Sequence, residues 1–250
     1  MRRLIVAALF LGFIFSTTLA FSGEKSLFQE ANEKYQAGDY VSAASLYRKA
    51  AASGKPTAAL YYNLGNADFR AGNKGAALVD YERAHALAPR DRDVEWNKSV
   101  LKTTLADRIA DSDENVFISS AQRILNWVTV DEIALLFAFI MVILFIVSVL
   151  NFFFHQSKSM TAGIGGFFTL LLILTGTAFY FRWLSAKDPF LVVLEKEVTA
   201  RYGPSDKETK AFVLHEGAKA RVIDQTDKWY YIALQDTTTG WVLKKSCEVI

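Results

Sequence analysis

The chain has 250 residues, 52% of them hydrophobic, and a formal net charge of +2 at pH 7. That length suits one to three modest domains, and charge is balanced locally: residues 24–123 carry 14 Lys+Arg against 14 Asp+Glu, and residues 188–250 carry 9 against 10. Neither part has the basic surplus of a nucleic-acid binder, so no nucleic-acid partner is expected, and the single cysteine, Cys247, excludes an intramolecular disulfide or a CxxC metal site.

The first predicted element is an export signal. In "MRRLIVAALFLGFIFSTTLAFSGEKS", Arg2 and Arg3 form a positive n-region before twelve apolar residues, Leu4 to Phe15. Thr18-Leu19-Ala20 then offers a signal-peptidase site, so residues 1–20 read as a signal peptide. Twelve residues span ~18 Å as a helix, short of a ~30 Å hydrocarbon core. An uncleaved anchor extended through Ser16 to Phe21 is the alternative, and either reading puts Gly23 onward outside the cytoplasm. No cysteine lies near the cleavage region, which excludes a lipoprotein.

A repeat follows. At an offset of 34 residues Ala31 pairs with Gly65, Tyr35 with Phe69, Gly38 with Gly72, Ala43 with Ala77, Tyr47 with Tyr81 and Ala50 with Ala84. Small residues at Gly65, Ala77 and Ala84 let helices approach, with Tyr81 and Leu64 filling the gaps. Gly38 and Gly72 fall where a helix must stop, because glycine tolerates the left-handed C′ position, and Pro89 ends the next helix. A period of 34 built from two short amphipathic helices is similar to the tetratricopeptide (TPR) family. Tyr62-Asn63-Leu64-Gly65-Asn66-Ala67, Tyr81, Ala84 and Pro89 fall on the family's positions; Asp68 departs, standing where an aromatic is usual. Residues 24–110 are thus expected to hold two repeats capped by a third helix, Asp93 to Ile109. The resemblance implies a concave peptide groove at Asn32, Gln36, Asn63, Asn66 and Arg70. Asn32 and Asn63 match the asparagines of a carboxylate clamp, but Phe28, Asp93 and Asn97 stand where its cations belong.

After a linker, residues 111–130, come two apolar runs. Ile133 to Phe154 contains no charge, and Gly163 to Trp183 is charged only at Arg182. Transmembrane helices are expected over 131–154 and 162–184, anchored by Trp127 and Trp183 at the interfaces. The short "HQSKSMTA" between them requires an antiparallel hairpin, with Gly163, Gly165, Gly166 and Gly176 permitting close approach. By parity, the turn at His155 to Ala162 is cytoplasmic and both hydrophilic regions share the outer side.

From Leu191 the texture changes to short alternating runs broken by Gly203-Pro204-Ser205 and Glu216-Gly217, which suggests a small barrel over 190–250. Arg201-x-Gly203-Pro204-Ser205, Glu216-Gly217, Trp229-Tyr230-x-Ile232 and Gly240-Trp241-Val242 resemble the bacterial SH3-like (SH3b) family. Trp241 and Ile232 are expected in its core. Trp229 and Tyr230 half-cover one face, a possible ligand face because related modules bind cell-wall peptides. Cys247 is expected to be a small buried residue.

His85, His155 and His215 lie in separate segments, and HExxH, GxSxG and a Walker loop are all missing from the sequence. No catalytic residue, cofactor or metal is expected. The fold class is multidomain: all-α TPR pairs, a two-helix transmembrane hairpin and a small all-β SH3-like barrel. This order resembles BatE-like proteins of the Bacteroides aerotolerance (Bat) group. The resemblance implies a scaffold in the bacterial inner membrane, with its TPR and SH3-like modules on the periplasmic side. Its implied partners are von Willebrand A-domain Bat proteins and a MoxR-type AAA+ ATPase, in tolerance of oxidative or envelope stress. A cell-wall sensor whose SH3-like domain binds peptidoglycan is the competing reading.

Overall fold

The computed structural model describes residues 26–54, 56–107, 128–154, 158–185, 189–234 and 236–250. The expected signal peptide, linker residues 111–127, Trp127 and the inter-span residues 155–157 lie outside them. The chain begins with five helices, α1 (Leu27–Gln36), α2 (Tyr40–Ser53), α3 (Ala58–Ala71), α4 (Lys74–Leu87) and α5 (Arg92–Thr103). Local chemistry sets their ends. Ser26 and Gln29 form a capping box on α1, and Asp39, Thr57 and Asp91 accept backbone N–H groups at the starts of α2, α3 and α5. Gly38 and Gly72 end the first helix of each pair at φ of +80° and +90°, a conformation that would strain most side chains.

Within the array the small residues set the helix spacing. A Cβ on Gly65 would lie 2.8 Å from the Tyr81 ring, so α3 and α4 pack at a distance only glycine allows. Leu60, Leu64 and Ala67 of α3 join Ala43, Ala44 and Tyr47 of α2 in one buried cluster. The buried residues of α5 are Val94, Lys98 and Leu101, each 34 positions after Leu60, Leu64 and Ala67. Helix α5 is therefore the first helix of a third repeat and not merely a cap. It also stops at Thr103, well short of Ile109, because Thr104 turns the chain so that Leu105 can reach the C-terminal sheet.

Two apolar helices follow, α6 (Val130–Phe154) and α7 (Lys158–Ser185), both long and apolar enough to cross a membrane. They pack against each other, with Phe137 of α6 lying 4.0 Å from a Cβ built on Gly176 of α7. The first opens with a capping box: Thr129 Oγ1 accepts from Glu132 N at 3.2 Å, and Glu132 Oε2 accepts from Thr129 N at 2.9 Å. Arg90, in the α4–α5 turn, also donates to Glu132 and ties the helical array to the start of α6.

The C-terminal part is an antiparallel sheet of seven strands: β1 (Phe190–Val193), β2 (Glu197–Arg201), β3 (Lys210–His215), β4 (Lys219–Gln225), β5 (Trp229–Ala233), β6 (Thr239–Leu243) and β7 (Cys247–Val249). Their order is β3-β2-β6-β5-β4-β1-β7. The ladder is open: it ends on β3 and β7, where a closed barrel would pair them. Its core holds Leu191, Val193, Val198, Ala200, Leu214, Ile232, Val242 and Cys247. Burial pushes the Cys247 thiol up to about 12, so it behaves as an apolar residue. Neither tryptophan has its expected burial. Trp229 is buried at 6% exposure, whereas Trp241 is only half-buried and lies against the ring of its cross-strand partner Tyr231, 4.9 Å away. The pleat explains Trp241: neighbours on a strand face opposite sides, so Val242 and Ile232 take the core. Trp241, its partner Tyr231 and Trp229 lie on the other face, where Trp229 is covered and Trp241 is not.

The helices and the sheet are packed together. Val192 of β1 is completely buried among Ala77, Leu78, Val79 and Tyr81 of α4 and Leu101 of α5. Gly75 N donates to Glu216 Oε1 at 2.9 Å, and a Cβ on Gly75 would stand 2.4 Å from the Val193 carbonyl oxygen. Polar contacts surround this apolar centre. Arg83 meets Glu248 at 2.6 Å, Lys219 meets Glu82 at 3.2 Å, and Asp107 accepts from His215 N at 2.7 Å while lying 2.8 Å from its Nδ1. On the far side of the turn, Leu105 fills the space a Cβ would need at Gly217, whose φ is +85°. Gly75→Ala forces two backbones apart, and an overpacking cost of ~1–3 kcal/mol is expected. Thermal unfolding of the full chain should show a lowered midpoint, whereas Gly54→Ala, whose Cβ meets nothing within 4 Å, should leave it unchanged.

Candidate peptide-binding groove

The first helices of the three repeats, α1, α3 and α5, line two adjoining cavities of about 90 and 190 Å³. Asn32, Gln36 and Asn63 line the smaller, Arg70 and Asn97 the larger, and Tyr35 and Asn66 border both. The structure thus brings together all five residues expected in the groove: Asn32, Gln36, Asn63, Asn66 and Arg70.

Their chemistry differs from a set of free amides. Tyr47 donates its hydroxyl to Asn32 Oδ1 at 2.6 Å, and Asn63 Nδ2 approaches the same oxygen at 3.5 Å. One repeat later, Tyr81 donates to Asn66 Oδ1 at 2.6 Å and Asn97 Nδ2 donates to it at 2.8 Å. The two relays are copies displaced by 34 residues: Tyr47, Asn32 and Asn63 become Tyr81, Asn66 and Asn97. Each links the second helix of a repeat to its own first helix and to the first helix of the next. Burial pushes the Tyr47 hydroxyl up to about 12 and Tyr81 higher still, so both stay protonated donors. The acceptor oxygens of Asn32 and Asn66 are therefore occupied within the protein, and their Nδ2 groups are what a ligand meets. Asn97 also donates to Tyr62 Oη at 2.9 Å.

Arg70 is held at the groove wall by Tyr40. It donates to the Tyr40 hydroxyl at 2.7 Å, with its guanidinium carbon 4.9 Å from the ring centre. The other clamp positions are structural. Phe28 packs against Tyr47 with ring centres 5.7 Å apart, and Asp93 sits in the first turn of α5. The suggested sheet ligand face loses one member, because Trp229 is buried; Tyr230 is half-buried against the sheet core, with Lys244 Nζ 4.8 Å from its ring centre.

Sequence reasoning missed a second polar chain beneath the groove. Asp68 is fully buried, and Arg48 donates to both of its oxygens at 2.6 Å. Asp80, also buried, lies 3.7 Å from Arg83, which continues to Glu248 of β7. Arg48–Asp68 thus joins α2 to α3, Arg83–Glu248 joins α4 to the sheet, and the buried Asp80 carboxyl lies beside Arg83. Asp68 was visible in the sequence as a departure from the repeat, but its partner Arg48 lies 20 residues away on another helix. Asn97 was more accessible: the 34-residue offset applied to Asn63 lands on it.

The family model described as tetratricopeptide repeat matches residues 58–91, which are α3, α4 and the turn into α5. No curated protein matches the chain at significant similarity. The chain therefore carries a TPR repeat within a helical-repeat array, a module class that mediates protein–protein interaction.

Burial, followed by the neighbouring Asp68 carboxylate, pushes Asp80 up to about 8 in spite of Arg83 and Arg48. A carboxyl raised this far binds its proton more tightly folded than unfolded. Its contribution to stability is complete below the ordinary value of 3.8 and is lost as pH rises toward about 8. Asp80→Asn mimics the protonated form at every pH. The variant's stability advantage over the natural protein should widen with pH between about 4 and 8, by at most ~1.4 kcal/mol per unit, and then level off. Thermal melts of both proteins at pH 5, 6, 7 and 8 test this; a pH-independent difference would mean that Asp80 is ionised in the fold.

Proposed function

We propose that the protein is a membrane-anchored adaptor that holds an extended segment of a partner protein in the α1–α3–α5 groove. The observation that carries this reading is the repeated Tyr–Asn–Asn relay. It fixes the groove's walls before any ligand arrives, so ordering costs fall on the partner alone, and it leaves amide donors directed at a backbone. Recognition through main-chain groups suits a partner segment with limited sequence demand.

In this reading α6 and α7 form a membrane hairpin. The shared core of Val192 with α4 and α5 supports it, because the helical array and the sheet must then lie on one side of the bilayer, and two crossings return the chain to that side. With the export signal, that side is the periplasm and the membrane is the bacterial inner membrane. The sheet is taken as an SH3-like module, supported by its short antiparallel strands, the register shifts in β2–β3 and β4–β5 and the turns at Gly203-Pro204-Ser205 and Gly217. The whole order matches the BatE-like proteins of the Bat group, with von Willebrand A-domain proteins and a MoxR-type ATPase system as the implied partners and no enzymatic activity of its own. The peptidoglycan-sensor reading keeps only Tyr230 of its two candidate rings, since Trp229 is buried.

Two measurements test the proposal. Cysteine placed at Ser99 or Asp206, both exposed, should react with a membrane-impermeant thiol reagent in cells with a permeabilised outer membrane, and cysteine at Ser157 should not. The buried native Cys247 gives no background. Labelling at Ser157 with protection at the other two sites inverts the topology. Separately, Asn63→Ala with Arg70→Ala should lower recovery of membrane partners at least several-fold while leaving helical circular dichroism unchanged. Full recovery places binding outside the groove.

A further inference from the structure

We infer that the groove selects partner segments carrying a carboxylate, which Arg70 receives together with the Tyr35 hydroxyl and the Asn66 amide. This inference rests on the peptide-groove reading above and specifies its ligand chemistry.

Charge and hydrogen-bond accounting carry the argument. Neither cavity is lined by an aspartate or glutamate, and Arg70 is the one cation lining them. Among the described residues Arg70 has no acidic partner; its protein contacts are the Tyr40 hydroxyl and ring. A guanidinium has five donors, and one such bond leaves the rest of its fork open to a planar, doubly accepting group. The surrounding groups are also donors. Asn66 Oδ1 is occupied by Tyr81 and Asn97, which turns Nδ2 toward the space, and Tyr35, shared by both cavities, keeps a hydroxyl with no intramolecular bond among the described residues. A site of converging donors around an unpaired cation lacks an anion. Phe69 and Val100 complete the larger cavity with apolar wall, so an aliphatic or aromatic side chain beside the carboxylate has a place as well. The position differs from that of a carboxylate clamp, whose cation sites here hold Phe28, Asp93 and Asn97. The charge has been moved to the wall formed by α3 and the Tyr40 end of α2.

Peptide selection on the full-length protein in lipid nanodiscs tests this without a known ligand. One random decapeptide library is displayed with blocked C-termini and a second with free C-termini; groove binders are those lost on the Asn63→Ala protein. The expected result is enrichment of Asp or Glu among groove binders from the blocked library if side chains supply the carboxylate, or preferential recovery from the free library if the chain terminus does. On Arg70→Gln protein the acidic preference should disappear, and affinity of the selected acidic peptides should fall at least tenfold, while Arg70→Lys restores part of it. Groove binders with no acidic or free-terminus preference overturn the carboxylate inference and leave the peptide groove standing. No groove binder from either library overturns both.

Discussion

The structure depends on the contact between α4 and β1. A helical repeat cannot bury both faces of its last unit, and the exposed side of α4 and α5 is where a further helix would be required. Here Val192, Leu194 and Ile250 of the sheet, with Leu105, occupy that surface. Fully burying a valine is worth roughly 1.5–3 kcal/mol, and Gly75 lets the two backbones approach closely enough for it. The sheet thus covers the side of α4 and α5 that the repeat would otherwise leave open.

That closure has a polar counterpart. Glu82 of α4 stands between Lys98 of α5 and Lys219 of β4, at 3.7 and 3.2 Å. Burial alone would raise its pKa, but the three nearby lysines, Lys219, Lys98 and Lys102, outweigh that and hold it below the usual carboxylate range. Lys98 itself stands where the preceding repeat has Leu64. Burial lowers its pKa, with Glu82 opposing. A charged residue is tolerated at this core position of the repeat because Glu82 of α4 faces it, while the same carboxylate also holds Lys219 of the sheet. Removing one partner of such a group strands a buried charge, which is why pairs of this kind specify an interface more than they strengthen it.

Groove and interface are separated by the thickness of one repeat. The first helices α1, α3 and α5 present the groove, and α4 carries the interface on its other side, while Tyr81 and Asp80 are neighbours on α4 that serve the two in turn. Tyr81 supports the groove through Asn66, and Asp80 lies beside Arg83, which reaches Glu248. The groove is therefore rigid for a reason external to it: the helix supplying its second relay is clamped from behind by the sheet.

Local pattern by itself determined the repeat, the helix stops at Gly38 and Gly72 and the alternation of the strands, because these follow from spacing and glycine positions. The 34-residue offset even contained the third repeat helix and Asn97, although Lys98 at the Leu64 position hid the match. The five groove residues came from the resemblance to the TPR family, and the structure places all five along the two cavities beside α1 and α3. What they are bonded to was not legible, because Tyr47 and Tyr81 reach their asparagines across helix packings set by the small residues Ala31 and Gly65. Trp241 was expected in the core although strand parity sets it opposite Ile232 and Val242. Trp229, on that same face, is buried where it was expected half-exposed, because hydrophobicity names a buried residue type but not which face of the sheet is covered. Above all, tertiary structure decided that α4 and β1 share a core across more than a hundred intervening residues, for the complementarity of two surfaces leaves no periodic trace in either one.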